Sequence, residues 1–140
     1  MATPQSIAEL AERCGVNGLR DLILLCFYCG RSMTWADKVL FDSARLPLVF
    51  YLNSWYGACC PCVHANARLD FSTHFDGVST VDEVQRQFGK PLEGLPVRCL
   101  ACLRELSRSE KRDVLQTDSD LFVIRGGVRT LCIVCKVGLR

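Results

Sequence analysis

Paired cysteines recur at a fixed spacing and constrain this 140-residue chain more than any other feature. Two C-x-x-C pairs separated by 29 residues are followed, 36 residues later, by two more pairs with the same 29-residue gap. The offset between the two sets is constant, since 99 − 26 and 132 − 59 both equal 73. Four thiolates in two C-x-x-C turns make a complete tetrahedral ligand set for a structural zinc ion. The spacing therefore predicts two copies of one zinc-binding unit.

The duplication also predicts which pairs share a metal ion, because an ancestral single copy must have closed its own site. An interleaved arrangement, in which alternate pairs share a metal as in RING domains, is the alternative. We expect local pairing, with Cys26, Cys29, Cys59 and Cys62 on one zinc ion, and Cys99, Cys102, Cys132 and Cys135 on the other. Cys60 is not expected to be a ligand, because the residue 73 positions later is Ile133.

Cys14 and the two histidines are predicted to bind no metal. Cys14 lies on the apolar stripe of a predicted helix, so we expect a small buried side chain. His64 and His74 are expected at the surface or at helix caps, because each predicted site already has four thiolates.

Composition indicates a reducing compartment and argues against several classes of function. The N-terminal residues lack the apolar core of a signal peptide, so ten cysteines are better explained by metal than by disulfides. The run Leu22–Tyr28 is too short to span a membrane. No Cys/His or paired-carboxylate constellation stands apart from the predicted ligands, so we do not expect an enzyme.

Capping patterns predict four helix starts. Ser6-Ile7-Ala8-Glu9, Thr80-Val81-Asp82-Glu83 and Ser107-Arg108-Ser109-Glu110 read as capping boxes, and Thr34 with Asp37 reads as a cap with an acid in the first turn. Gly15 and Gly89 are expected just beyond two of the helix ends. Between the repeats, residues 63, 67, 71 and 75 recur at the spacing of an amphipathic helix that Asp76-Gly77 should end.

Apolar, β-prone runs predict strands before the cysteine pairs. Leu22–Leu25 is expected to be a buried strand, and residues 48–51 align with residues 121–124 at the same 73-residue offset. Gly126-Gly127 should make a tight turn into residues 128–131.

These elements together predict an α+β fold. We expect two small four-cysteine zinc domains, each with a short sheet and short helices, joined by a helical connector. The predicted boundaries are an N-terminal helical arm and entry strand over residues 1–25, zinc modules over 26–62 and 99–135, a connector over 63–98, and a tail over 136–140.

The full cysteine spacing resembles that of the papillomavirus early oncoprotein family, the sixth early protein of those viruses. Shorter matches lie in residues 34–38 with Leu40-Phe41-Asp42, in Gly57-Ala58-Cys59-Cys60 and in Val123-Ile124-Arg125-Gly126. The resemblance implies a non-enzymatic adaptor with two zinc ions, present in the host cytoplasm and nucleus. In that family, a groove between the two zinc domains and the connector holds a leucine-rich L-x-x-L-L helix of a host protein.

Two kinds of host partner follow from the resemblance. One is a HECT-type ubiquitin ligase, redirected against regulators of growth and apoptosis; the other is a Mastermind-like coactivator of Notch signalling. By the same alignment, the groove residues are Leu46, Val49, Val63, Arg98 and Arg125. An acidic peptide would suit the two arginines. The resemblance leaves room for weak nucleic-acid binding and weak self-association, and implies no membrane association.

Two departures from the family pattern narrow the predicted type of papillomavirus. Gly127 stands where members often have a second arginine, and residues 136–140 lack the ending of a PDZ-domain ligand. Both favour a cutaneous or animal type of papillomavirus.

Other functions remain open from the residues alone. A zinc-dependent DNA-binding regulator is the main alternative, supported by a net charge of +3 over residues 99–140 (8 − 5). Acids interleave those basic residues, and no aromatic–basic stacking surface stands out. A ubiquitin ligase acting by itself is a third reading, which local zinc pairing disfavours.

Overall fold

The computed structural model describes residues 3–138, which form two compact units divided between Val63 and His64. Each unit combines short helices, short strands and one cluster of four cysteines. The predicted α+β fold with two small four-cysteine domains is confirmed.

The first unit is built from two capped helices, one hairpin and the start of a long helix: α1 (Ile7–Arg13), α2 (Trp35–Ser43), β1 (Val49–Tyr51), β2 (Ser54–Tyr56) and α3 (Cys60–His74). Ile7, Leu10 and Ala11 are buried on α1. The Asp42 carboxylate on α2 accepts hydrogen bonds from the backbone N–H groups of Ile7 and Ala8, at 2.7 and 3.1 Å. Two free N–H groups at the N-terminus of α1 are thereby paired, which fastens α1 to α2.

The second unit includes the later part of α3 and a four-stranded sheet. Its further elements are, in chain order, β3 (Phe75–Ser79), α4 (Val81–Phe88), a 3-10 turn (Leu92–Gly94), β4 (Val97–Cys99), α5 (Arg108–Thr117), β5 (Leu121–Ile124), β6 (Gly127–Thr130) and α6 (Ile133–Lys136). The strand order is β3-β5-β6-β4, with β4 parallel to β6 and the other pairs antiparallel. Its core packs α4, the 3-10 turn and α5 around Val84, Leu92, Val97, Val114 and Leu121, all at most 2% exposed.

The two units share a backbone pattern as well as cysteines. Equivalent hydrogen bonds recur at the 73-residue offset: Cys26 N to Arg31 O matches Cys99 N to Arg104 O, and Met33 N to Leu24 O matches Leu106 N to Val97 O. The resemblance extends upstream of the cysteines, because Ser6 caps α1 and Thr80 caps α4 at nearly the same offset. Each unit therefore has its own preceding capped helix.

The predicted caps form, with one difference. Thr34, Thr80 and Ser107 close complete capping boxes. Ser6 also caps α1, but the Glu9 carboxylate accepts from the backbone N–H of Gln5, at 2.7 Å. Gln5 lies one residue outside the cap, so the predicted reciprocal bond to Ser6 was wrong by one position.

The structure differs from three predictions: a strand, a turn and the burial of one cysteine. Leu22–Leu25 makes only an isolated bridge from Leu25 to Ser32. The hairpin turn uses Arg125-Gly126, since Ile124 pairs with Gly127. Cys14 is exposed at the end of α1. The missing strand at Leu22–Leu25 reflects the size of the sheet beside it. At the 73-residue offset, residues 24–26 correspond to β4, which joins a four-stranded sheet, whereas the first unit has only a two-stranded sheet.

The connector contains a strand that its helical pattern does not predict. α3 ends at His74, and Phe75, expected on its apolar stripe, begins β3 instead. β3 pairs antiparallel with β5, with an irregularity between Phe75 and Gly77 where the glycine has a φ of 147°. Asp76-Gly77 therefore interrupts the chain as predicted, but inside a strand.

In the described part of the chain, no helix is long and apolar enough to cross a lipid bilayer. Leu139 and Arg140 lie outside the described residues, and the expected absence of PDZ-domain binding stays a prediction.

Candidate metal centres

Each unit brings together the sulfurs of its own four cysteines. Within each cluster the Sγ atoms all lie within 4.8 Å of one another; the clusters are Cys26, Cys29, Cys59 and Cys62, and Cys99, Cys102, Cys132 and Cys135. This is the local grouping that the duplicated spacing predicts. Cys60 lies outside the first cluster.

The sulfur spacing fits a tetrahedral metal ion. Four sulfurs about 2.3 Å from one zinc ion would lie about 3.8 Å from each other. The Sγ atoms of Cys29 and Cys59 are 3.7 Å apart, and those of Cys102 and Cys132 are 3.9 Å apart. Both clusters therefore have the dimensions of a closed four-thiolate site.

The charge balance of the second cluster also calls for a cation. Contact with the Cys102 thiol and backbone N–H donors hold the pKa of Cys99 down to about 4, despite burial. The same contact raises the pKa of the Cys102 thiol, and burial raises the pKa of Cys135 to about 12. Four sulfurs this close cannot all be deprotonated without a neutralising positive charge. A divalent ion supplies that charge, so this donor set suits a metal.

The first cluster is the more exposed of the two. Cys29 is exposed, whereas its counterpart Cys102 is buried. The backbone N–H and side chain of Arg31 lower the pKa of Cys29 to about 6. Arg104, at the equivalent position in the second unit, hydrogen-bonds Cys132 and Glu110. Each cluster thus has an arginine from the turn of its first cysteine pair beside its sulfurs.

A carboxylate supports the second cysteine pair of each cluster. Asp37 accepts from the backbone N–H of Cys60 at 3.0 Å, and Glu110 accepts from the backbone N–H of Ile133 at 2.7 Å. Burial opposes ionisation of Glu110, but N–H donors of Ser107 and Ile133 and the Arg104 guanidinium hold its pKa at about 2. Arg104 Nη2 donates to both oxygens of the Glu110 carboxylate, at 2.8 and 2.7 Å.

Comparisons with known proteins agree with this double centre. The sequence model of the family described as Early Protein (E6) matches residues 26–135, which include every clustered cysteine. The chain belongs to the papillomavirus Early Protein (E6) family. Protein E6 of human papillomavirus 4 is 32% identical over 132 residues, 94% of each chain. Protein E6 of canine oral papillomavirus is 32% identical over 139 residues, 98% of this chain and 93% of that one. Protein E6 of human papillomavirus type 1 is 28% identical over 138 residues, 98% of both chains.

The predicted peptide-binding residues of this E6 family member fall in both units. In the first unit, Leu46 and Val49 are half-buried and Val63 is 8% exposed. In the second, Arg98 lies on β4, where its Nη1 donates to the Leu103 carbonyl at 2.7 Å. Arg125, on the β5–β6 turn, pairs through Nε with the Asp70 carboxylate at 3.2 Å.

His74, Arg125 and Arg129 form one polar group around Asp70 in the second unit. Arg129 donates to the second Asp70 oxygen at 3.0 Å, and the Arg125 Nη2 lies 2.8 Å from the His74 Nε2. His74 is thus engaged at the end of α3. His64 is half-buried, and neither histidine belongs to a cysteine cluster.

Sequence reasoning missed the supporting residues around each cluster. Arg31 and Arg104 are 73 positions apart, as are Asp37 and Glu110. That shared offset was visible in the repeat and could have identified them. Their acidic members were assigned only to helix capping, because one-dimensional patterns do not show the second hydrogen bond of each carboxylate.

Proposed function

We propose that this E6 family member is a non-enzymatic viral adaptor that holds two zinc ions and binds acidic L-x-x-L-L helices of host proteins. The observation that carries the proposal is the family match over residues 26–135, with relatives that align over nearly their whole length. A role as a binding protein also suits the cysteines, because metal coordination would occupy eight of the ten thiols.

Zinc is the metal that the donor set favours. Closed four-thiolate sites formed by two C-x-x-C pairs are typical of structural zinc. Such a site leaves no open coordination position for a substrate, so the ion would stabilise the fold. The clustered cysteines would hold it, with Arg31 and Arg104 offsetting part of the negative charge of the thiolates.

Apolar residues of the first unit would contact the leucines of the peptide. Leu46 precedes β1 and Val49 begins it, and both retain accessible surface. Val63 lies in the first turn of α3 and is buried. Leucines at positions one, four and five of the motif share one side of a helix, so a single apolar surface can receive them. The proposal assigns Leu46, Val49 and Val63 to that surface.

Arginines of the second unit would orient an acidic peptide. The Arg125 side chain is 59% exposed and uses Nε and Nη2 for Asp70 and His74. The Arg98 side chain is 29% exposed and lies 3.8 Å from the Glu105 carboxylate. Charge of this kind fixes orientation and specificity more than raw affinity.

The host partner defines what the adaptor does. A HECT-type ubiquitin ligase would be redirected against regulators of growth and apoptosis, and a Mastermind-like coactivator would be repressed. Either partner would require the protein in the host cytoplasm or nucleus, which is the localisation proposed. The two alternatives predict different peptide preferences, which a direct comparison can measure.

Calorimetric titration of the zinc-loaded protein with peptides from the ligase and from the coactivator tests the proposal. Each peptide is compared with a leucine-to-alanine control. Val49→Asp should abolish binding, because it places an unpaired charge against the leucines. Arg125→Ala should weaken binding by about 1–3 kcal/mol if its hydrogen bond to the peptide is charge-assisted.

Equal affinity for each peptide and its control would contradict the adaptor mechanism. The same protein is titrated with duplex DNA across a range of salt concentrations. Tight binding with a steep salt dependence would instead favour the DNA-binding alternative.

A further inference from the structure

The carboxylates of Asp37 and Glu110 divide their hydrogen bonds in the same way. One oxygen accepts from the N-cap backbone N–H: Thr34 N to Asp37 Oδ2 and Ser107 N to Glu110 Oε1 are both 3.0 Å. The other accepts from the residue that follows the third cysteine of the cluster, Cys60 or Ile133. Each carboxylate thus joins a helix start to the turn that carries two sulfurs.

Helix capping alone does not require the second contact. α4 has the same kind of capping box, in which the Glu83 carboxylate bonds the backbone N–H and hydroxyl of Thr80 at 3.5 and 3.1 Å. α4 does not directly follow a cysteine pair, because most of α3 and all of β3 lie between Cys62 and α4. The bond to a cysteine-pair turn therefore distinguishes the boxes of α2 and α5 from that of α4.

We propose that Asp37 and Glu110 are positioning residues for the two metal centres. Each carboxylate holds the backbone of the second C-x-x-C turn, so that both of its sulfurs stay directed at the metal. Contacts outside the ligand set tune metal affinity in this way in other proteins. The inference rests on the zinc binding proposed above, but not on peptide binding.

The carboxylate contacts of the two centres differ in strength. Glu110 forms the closer bond to its turn, and Arg104 Nη2 holds the carboxylate by donating to both of its oxygens. The side chains of Arg104 and Glu110 are 18% and 10% exposed, so this pair is largely shielded from water. The Asp37 carboxylate accepts from the Thr34 N–H and, in a longer bond, from the Cys60 N–H, while the Asp37 backbone N–H donates to the Thr34 hydroxyl. The second centre should therefore release its metal more slowly than the first.

Zinc release to an excess of a chromophoric chelator tests the proposal in the full-length, zinc-loaded protein. Asp37→Asn and Glu110→Gln keep the side-chain shape but leave one oxygen for two N–H donors. Each should accelerate the release of one zinc equivalent by about 10–100-fold and leave the other unchanged. Glu110→Asp keeps the charge and should release zinc at an intermediate rate, even if Glu110→Gln loses its metal during purification.

Matched capping variants separate positioning from ordinary helix stability. Glu83→Gln weakens a capping box that touches no cysteine pair, and Ser6→Ala removes the hydroxyl that caps α1. Neither should change either release phase by more than about two-fold. The proposal is overturned if these controls accelerate release as much as Asp37→Asn, or if Asp37→Asn and Glu110→Gln leave both phases unchanged. Wild-type protein that binds no zinc would contradict the proposed function instead.

Discussion

A lysine in each unit, buried in the first and half-buried in the second, ties a helix to the chain before the first cysteine pair. Lys38 on α2 is 4% exposed, and its Nζ donates to the carbonyls of Leu19 and Leu22. Lys111 on α5 makes the equivalent bond to the Leu95 carbonyl, with a longer bond of 3.4 Å to the Glu93 carbonyl. An ammonium group is costly to bury unless its hydrogen bonds are satisfied. Lys38 meets this condition by pairing with carbonyls that belong to no strand or helix.

Lys38→Met should lower the free energy of unfolding by about 2–3 kcal/mol, because it leaves two carbonyls without their donor. Lys111→Met is the matched comparison and should cost about 1 kcal/mol, since water can reach its site. Urea unfolding of the zinc-loaded proteins measures both values. Equal losses for the two variants would show that burial does not set the contribution of these lysines.

At the scale of elements, both hairpins use the same left-handed two-residue turn. Leu52 and Asn53 have φ values of 49° and 63°, and Arg125 and Gly126 have values of 53° and 73°. Turns of this kind match the twist of the strands and favour Asn-Gly. Leu52 is unfavourable in this conformation and is 78% exposed, so packing does not compensate.

Leu52→Asn should therefore stabilise the zinc-loaded protein by about 0.5–1 kcal/mol, because asparagine tolerates the left-handed region. Leu52→Ala is the control, since alanine keeps the Cβ atom and should change stability little. Both are measured by urea unfolding at constant zinc concentration. Similar stabilisation by alanine would point to removal of exposed apolar surface, and the turn would not be the cause.

At the scale of the whole molecule, metal and fold should depend on each other. Each unit is near the size at which a hydrophobic core alone rarely suffices. Several of the most deeply buried side chains are cysteines of the clusters, including Cys26, Cys99 and Cys132. Loss of metal would leave these thiols inside the cores without the ion that neutralises them.

Elemental analysis should give two zinc ions per chain, and complete chelation should unfold both units. Binding free energy of about 10–16 kcal/mol per structural site would be lost on chelation. Cys60→Ser should leave the count at two, because Cys60 lies outside the first cluster. Cys59→Ser should reduce it to one. An unchanged circular dichroism spectrum after chelation would contradict metal-dependent folding.

The sequence by itself determined the metal-site grouping and most of the helix starts. C-x-x-C pairs are chemically specific, and a duplicated spacing shows which pairs belong together. Caps are likewise local, because a side chain at Thr34, Thr80 or Ser107 bonds an amide three residues away. The run Leu121–Ile124 was also recognisable, since Phe122, Val123 and Ile124 favour strands.

Tertiary structure alone decided the features that depend on distant partners. β3 forms because it pairs with β5, which lies more than forty residues later in the chain. Its Asp76-Gly77 sequence indicated a chain break, so the strand was not predicted. The carboxylates of Asp37 and Glu110 reach amides 23 residues away, and Lys38 reaches carbonyls 16 and 19 residues away. Side-chain periodicity reports only which face of an element is apolar. It carries no information on which backbone groups a folded chain brings within reach of a buried charge.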